Sequence, residues 1–445
     1  MQSILIVFPE GNIENNPNML SMLLLLYDYY QIYVVHEREK QAFINDKIHT
    51  CYISKLCDNF FFENNKEYMV NNFKLINFSL IIGIDQGIKF ANFIARQNNT
   101  PLALISYELY FTDEWEYQLK KQEIEACKNI AFAICQDNMR SYLLSGENNI
   151  PVEKIVNIPI SESSSGSFKR STYLHEKLNI PSNKKIALYI GSISKWSMTE
   201  GLINSTDFWP DEWVLVLHPR YGMDSSIVSL DEKVKGKTRV YISVETKAYT
   251  YELEEIVCSA DLGIVLYDFD FTSYNSGKNL LFVGLSSGKF SIFMKYNIPI
   301  IVNNNTNIAD IVFQYNLGYV ITNLEDIHLC LLSNDTNFFH SNCREFFSKY
   351  LDFDLYKSSI LTIIEKTILN ENVVEIININ NQKISIKNIH NIRMELVYNR
   401  MMDAINNLDL LYKNSLLKNK LKKVLKVLHL LEPIKTLINI VKDRN

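Results

Sequence analysis

The chain lacks the signatures of several large function classes. Its seven cysteines (Cys51, Cys57, Cys127, Cys135, Cys258, Cys330, Cys343) are odd in number and scattered, with no C-x-x-C. That argues against a disulfide framework, a zinc ribbon or a thioredoxin-like redox pair, and fits reduced, mostly buried thiols in a cytoplasmic protein. The eight histidines show no metal-ligand spacing, and H-E-x-x-H, P-loop and G-x-S-x-G signatures are missing. The absence of G-x-G-x-x-G argues against a nicotinamide enzyme. No run approaches the ~18 consecutive apolar residues of a membrane span. The start, MQSILIVFPEGN, has no basic region and reads as a first core strand rather than a signal peptide. A basic excess is lacking too: the net charge of −5 gives no reason to expect nucleic acid.

What is present fits a soluble globular protein, with 47% hydrophobic and 21% charged residues. At 445 residues the chain exceeds one compact core, so two or three domains are expected. Charge is unevenly spread. Residues 411–445 hold nine Lys/Arg against two Asp/Glu, a local +7, which leaves −12 on residues 1–410. Asn and Ile are abundant, which we take as a base-composition bias.

Apolar runs alternate with helical patterns, the signature of a parallel α/β protein. Strands are expected at 3–8, 31–36, 50–54, 80–85, 101–107 and 130–136, with a helix over 16–30. The polar run Ser161-Glu162-Ser163-Ser164-Ser165-Gly166-Ser167 reads as a flexible linker. The pattern then restarts, with strands at 185–191, 213–218 and 238–244 and helices at 198–208 and 251–260. A long helical pattern covers 337–369. The expected fold is α/β, two Rossmann-like domains facing a cleft, with a C-terminal helical extension. The expected domains are 1–163, 164–365 and 366–445. In the last, Leu417, Leu421, Val424, Leu425, Leu428 and Leu431 share one helical face, with Lys418, Lys422, Lys423 and Lys426 largely opposite. Such a helix over 416–431 suits an anionic membrane surface or a packing partner.

The segment 260–320 carries the chemistry. Leu285-Ser286-Ser287-Gly288-Lys289 opens a helix. A helix start offers free N–H groups and a positive dipole end, and two hydroxyls, a glycine and a lysine there suit a diphosphate. In a doubly wound sheet such a loop lies at the carboxyl ends of strands, where ligands bind. This Ser-Gly-Lys, helix, proline-containing strand pattern resembles the sugar-nucleotide site of GT-B glycosyltransferases, in particular the family-four-like group. The resemblance covers residues 1–365 in layout and is specific mainly over 185–320. It implies a glycosyltransferase that takes a sugar from a nucleotide-diphosphate donor, held by the second half. The acceptor, a glycan or lipid-linked glycan in cell-surface polysaccharide or glycoconjugate synthesis, would sit on the first. This places the enzyme in the cytoplasm, at the inner face of the membrane if the tail binds lipid. Two departures stand out: Ile292 where the family usually has a glutamate, and Asn297 where it has the glycine before the proline. They keep open a non-catalytic partner subunit, and the fold also serves sugar-nucleotide epimerases.

Gly191, Ser192 and Lys195 resemble the family's glycine turn with its lysine. With His218 and Arg220 at the next strand end, Asn279, and Ser286, Ser287, Gly288 and Lys289, they are the expected donor residues. Arginine and lysine there would neutralise the leaving diphosphate. Ser106-Tyr107-Glu108-Leu109-Tyr110 resembles a segment of some family-four-like enzymes. Glu108, with Asp85 as runner-up, is the expected acid–base or charge-stabilising group. Glu10, Gly11, Asn12 and His36 are the expected acceptor contacts. Each also has an ordinary reading: a strand-to-helix turn for Gly191, a surface cation for Arg220, a salt-bridged carboxylate for Glu108. Asp268-Phe269-Asp270 has a D-x-D form that suits a divalent metal. The same spacing recurs at Asp352-Phe353-Asp354 in a helical region, so chance produces it here, and no metal or other cofactor is expected.

Overall fold

The computed structural model describes residues 1–11, 13, 16–37, 48–53, 73, 76–114, 117–164, 166, 168–219, 225–244, 253–269, 276–333 and 336–383. Two all-parallel sheets form the frame. The first has seven strands: β1 (Ser3–Val7), β2 (Gln31–His36), β3 (Ile48–Tyr52), β4 (Phe78–Ile84), β5 (Leu102–Ile105), β6 (Phe132–Cys135) and β7 (Ile155–Asn157), in the order β3-β2-β1-β4-β5-β6-β7. The second has six: β8 (Lys185–Gly191), β9 (Trp213–Pro219), β10 (Val240–Ile242), β11 (Leu262–Val265), β12 (Ile300–Asn303) and β13 (Gly318–Ile321), in the order β10-β9-β8-β11-β12-β13. Each is thus a doubly wound α/β unit, and together they make the two Rossmann-like domains of the GT-B fold.

The central strands are nearly pure apolar runs because helices cover both faces. All five residues of β1 and all four of β11 are buried. In each sheet the strand order reverses at one point, between β1 and β4 and between β8 and β11. Loops leaving such neighbours diverge and open a crevice at the carboxyl ends.

Three expectations are corrected. The run 161–167 is not a free linker at its start: Ser161 and Glu162 are buried. The Ser161 hydroxyl donates to the Leu351 carbonyl, and Lys295 donates to the Glu162 carboxylate, an ion pair with both side chains only 7% exposed. The helical pattern 337–369 is broken. A helix Thr336–Phe346 continues as a wider turn to Leu351, the chain bends at Asp352, and a second helix runs Lys357–Ile368. Finally, residues 374–383 are not an appendage. The helix Val374–Lys383 lies along β7, the last strand of the first sheet. Asn381 accepts from the Asn157 N–H (2.7 Å) and donates to the Ile155 carbonyl (2.8 Å), while Asn380 donates to the Asn157 carbonyl (2.9 Å). Side-chain amides therefore complete the hydrogen bonds that a sheet edge leaves open. β7 itself was not among the expected strands. The amphipathic stretch 416–431 lies outside the described residues, and among those described no helix is long and apolar enough to cross a membrane.

Candidate functional site

A cavity of about 310 Å³ lies where the two reversal points face each other. Its walls come from the loops after β1 (Glu10), β4 (Asp85), β5 (Tyr107, Glu108), β8 (Gly191, Ser192) and β11 (Tyr267), and from the segment 279–289. Ten of the expected site residues thus meet there: Glu10, Asp85, Glu108, Gly191, Ser192, Asn279, Ser286, Ser287, Gly288 and Lys289.

The second half supplies a helix start. Ser287 is the N-cap of the helix Gly288–Lys295, its hydroxyl accepting from the Phe290 N–H at 3.2 Å. The same hydroxyl lies 2.7 Å from the Tyr267 hydroxyl. Lys289 is 93% buried, and its ammonium sits over three rings: Tyr267 (4.4 Å), Tyr189 (4.7 Å) and Trp196 (5.4 Å). It also donates to the Tyr189 hydroxyl at 3.3 Å. The ring faces hold the cation electrostatically. Trp196 and Tyr267 stack nearly parallel at 6.0 Å, which fixes two walls of this cage. Gly191 forms another boundary. Its φ of +130° suits glycine alone, and an added Cβ would lie 3.2 Å from the Lys289 side chain. Two positions far apart in sequence therefore fit one lysine.

The first half supplies carboxylates. Asp85 has φ +47°, a left-handed conformation that aspartate tolerates better than most residues. Its Oδ1 accepts the N–H groups of Tyr107 (2.8 Å) and Glu108 (2.9 Å). Burial, then the charge of Glu108, pushes the Asp85 carboxyl well above its ordinary range, against the lowering effect of those N–H groups. Glu10 adds a further upward push. Tyr107 is buried, and its hydroxyl donates to Asn18 at 2.9 Å.

Asn279 joins the halves. Its amide nitrogen donates to the Glu108 carboxylate, and its oxygen accepts the Leu109 N–H at 2.9 Å. Lys278 pairs with Asp113 at 2.5 Å and donates its N–H to Glu114 at 3.0 Å. Asp137 accepts the Leu285 N–H at 3.0 Å. The loop that carries the helix start is thereby fastened to the first half.

Other expected residues lie elsewhere. Lys195 lines a separate cavity of about 520 Å³ beside Glu200, Lys233 and Asp268. His218 is buried, 3.0 Å from the Ser243 hydroxyl, between β9 and the segment after β10. His36 is buried at the end of β2 with its ring against Tyr52. Gly11 closes a turn onto the Phe8 carbonyl at 3.0 Å. None of these four lines the 310 Å³ cavity. Arg220, Asn12 and Asp270 are outside the described residues. Ile292, where the family's glutamate would stand, is buried in the core. Sequence reasoning missed Tyr189, Trp196, Tyr267 and Arg140. Aromatics in and just after β8 (Tyr189, Trp196) and just after β11 (Tyr267) are the signal that was available for the first three.

Residues 232–343 match the family model described as glucosyltransferase 3-like, C-terminal domain. No curated protein matches the chain. Among solved structures, HepE of Anabaena in complex with UDP and glucose is similar at 12% identity, with 82% of this chain and 100% of that one covered and a TM-score of 0.64. The same protein with UDP-glucose gives 11%, 83%, 99% and 0.60. Sucrose-phosphate synthase of Thermosynechococcus elongatus gives 12%, 91%, 100% and 0.52. At these identities the likeness establishes the fold.

Proposed function

We propose that this chain, a glycosyltransferase of the GT-B fold by its architecture and its matched domain, moves a sugar from a uridine diphosphate donor to an acceptor hydroxyl in the 310 Å³ cavity. The observation that carries the reading is the pairing across that cavity of a lysine-bearing helix start with a carboxylate pair. HepE's complexes with UDP and UDP-glucose support the choice of donor. The diphosphate lies at Ser287, Gly288 and Lys289, where N–H groups, dipole and ammonium meet the charge that develops on the leaving group. Asp85 is buried with its Oδ1 occupied by two backbone N–H groups, and burial and the neighbouring Glu108 raise its pKa. Glu108, half-buried and lining the cavity, is the carboxylate that takes the acceptor proton. The sugar's anomeric C–O bond to the diphosphate breaks, a bond to the acceptor oxygen forms, and the hydroxyl proton passes to Glu108. No metal is assigned to this step.

Lys289→Ala should weaken UDP binding at least tenfold by calorimetry, since charge-assisted phosphate contacts contribute about 1.5–3 kcal/mol. An unchanged dissociation constant would remove the donor site. Glu108→Gln should lower turnover and leave UDP affinity within about twofold. The acceptor we propose is a glycan or lipid-linked glycan of a cell-surface polymer, and the +7 stretch 411–445 supports contact with an anionic membrane. Sedimentation with anionic and neutral vesicles at low salt, comparing the full chain with one ending at Asn407, tests that contact. A full chain that stays in the supernatant with both refutes it.

A further inference from the structure

Arg140 belongs to the helix Asn138–Asn148 and is fully buried. Its Nε donates to the Gln136 side chain at 2.8 Å and one Nη to the Tyr107 carbonyl at 2.7 Å, both in the first half. Its other acceptors come from the second half: the Phe282 carbonyl at 3.0 Å and the Asn279 Oδ1, 3.3 Å from each Nη. One guanidinium thus bridges both halves, which its planar fork of donors permits and a lysine's point charge does not.

The turn that Arg140 grips is the one that carries Glu108. The Tyr107 carbonyl is held by Arg140. The N–H groups of Tyr107 and Glu108 are held by Asp85. The Leu109 N–H and the Glu108 carboxylate are both held by Asn279, whose Oδ1 is in turn fixed by Arg140. These contacts hold Glu108 from the first half and from the Arg140–Asn279 bridge. If the halves separate, Glu108 loses its amide partner. A fully buried guanidinium also loses its second-half acceptors, an expensive state for charged donors.

We infer that Arg140 is a positioning residue that, through Asn279, sets the Glu108 carboxylate only when the donor-side loop is docked on the first half. This rests on the donor and acceptor assignments proposed above. Its consequence is that the acceptor side becomes competent only when the donor-side loop is in place, which limits proton transfer in an open cleft.

The test uses the full chain with Arg140→Lys and Asn279→Ala, measuring UDP affinity by calorimetry and UDP release from UDP-glucose with water as acceptor. The expected result is a fall in kcat of tenfold or more in both variants. In Arg140→Lys, KM for UDP-glucose and the UDP dissociation constant stay within twofold of the parent. Retention of donor affinity shows a folded second half and separates positioning from general destabilisation. If Arg140→Lys fails to fold, Asn279→Ala decides alone. Parental kcat in the variants, or loss of UDP affinity in step with kcat in Arg140→Lys, overturns the inference. A parent chain that fails to bind UDP overturns the donor reading instead.

Discussion

At the scale of single residues, the cavity departs twice from what an ordinary core would choose. Asp85 keeps a carboxyl in a buried left-handed turn beside two other carboxylates. Its raised pKa means that the folded protein holds that proton more tightly than the unfolded chain does. Stability from this group is full below the ordinary aspartate range near pH 4 and is lost as pH rises through the folded value. Asp85→Asn should therefore raise the melting temperature at pH 7.5, and the gain should shrink towards pH 4. A melting temperature at or below the parent's at pH 7.5 contradicts this. Gly191 is the second departure. Gly191→Ala forces a side chain into φ +130° and towards Lys289, a strain of about 1–3 kcal/mol. Thermal unfolding should occur several degrees lower and UDP affinity should drop, because the lysine stem must move. A variant with parental UDP affinity would show that the close fit has no bearing on the donor.

At the scale of elements, the edge of the first sheet depends on two asparagines of the helix Val374–Lys383. Asn381→Ala removes the acceptor of the buried Asn157 N–H and a donor to Ile155, at a cost of about 1–3 kcal/mol. Urea denaturation should show a lower midpoint with an unchanged slope, and an unchanged midpoint would mean that the edge needs no cover. Much of this level was legible in the sequence. Strands such as β1, β2 and β8 are continuous runs of apolar and β-branched residues between turn residues, so their positions follow from composition. What was not legible depended on distant partners. Ser161 and Glu162 look like linker, and partners far away in sequence, Leu351 and Lys295 among them, make their burial tolerable. Asp352 bends a helical pattern whose periodicity continues on both sides. Of the site, the Ser286–Lys289 helix start and the carboxylates were readable because their chemistry is local. Arg140 was not, because most of its acceptors come from two distant segments, around Tyr107 and around Asn279–Phe282.

At the scale of the whole molecule, the two halves meet through charge and amide contacts, with an ion pair between Lys278 and Asp113 at 2.5 Å. Asp113→Lys sets two cations against each other there. Turnover should fall severalfold, and the exchange Asp113→Lys with Lys278→Asp should restore much of it. Failure of the exchange to recover any activity would argue that this pair does not govern the meeting of the halves. The helix that seals β7 has a further consequence, for synthesis rather than for catalysis. Asn380 and its partner Asn157 are 223 residues apart. At a translation rate of about 5–20 residues per second, the ribosome delivers the second of them about 10–45 s after the first. The first half thus emerges with its last strand uncovered and waits for the entire second half to be made. During that interval the nascent chain presents an open strand to its neighbours on the same messenger, and the demand for chaperones should be greatest then.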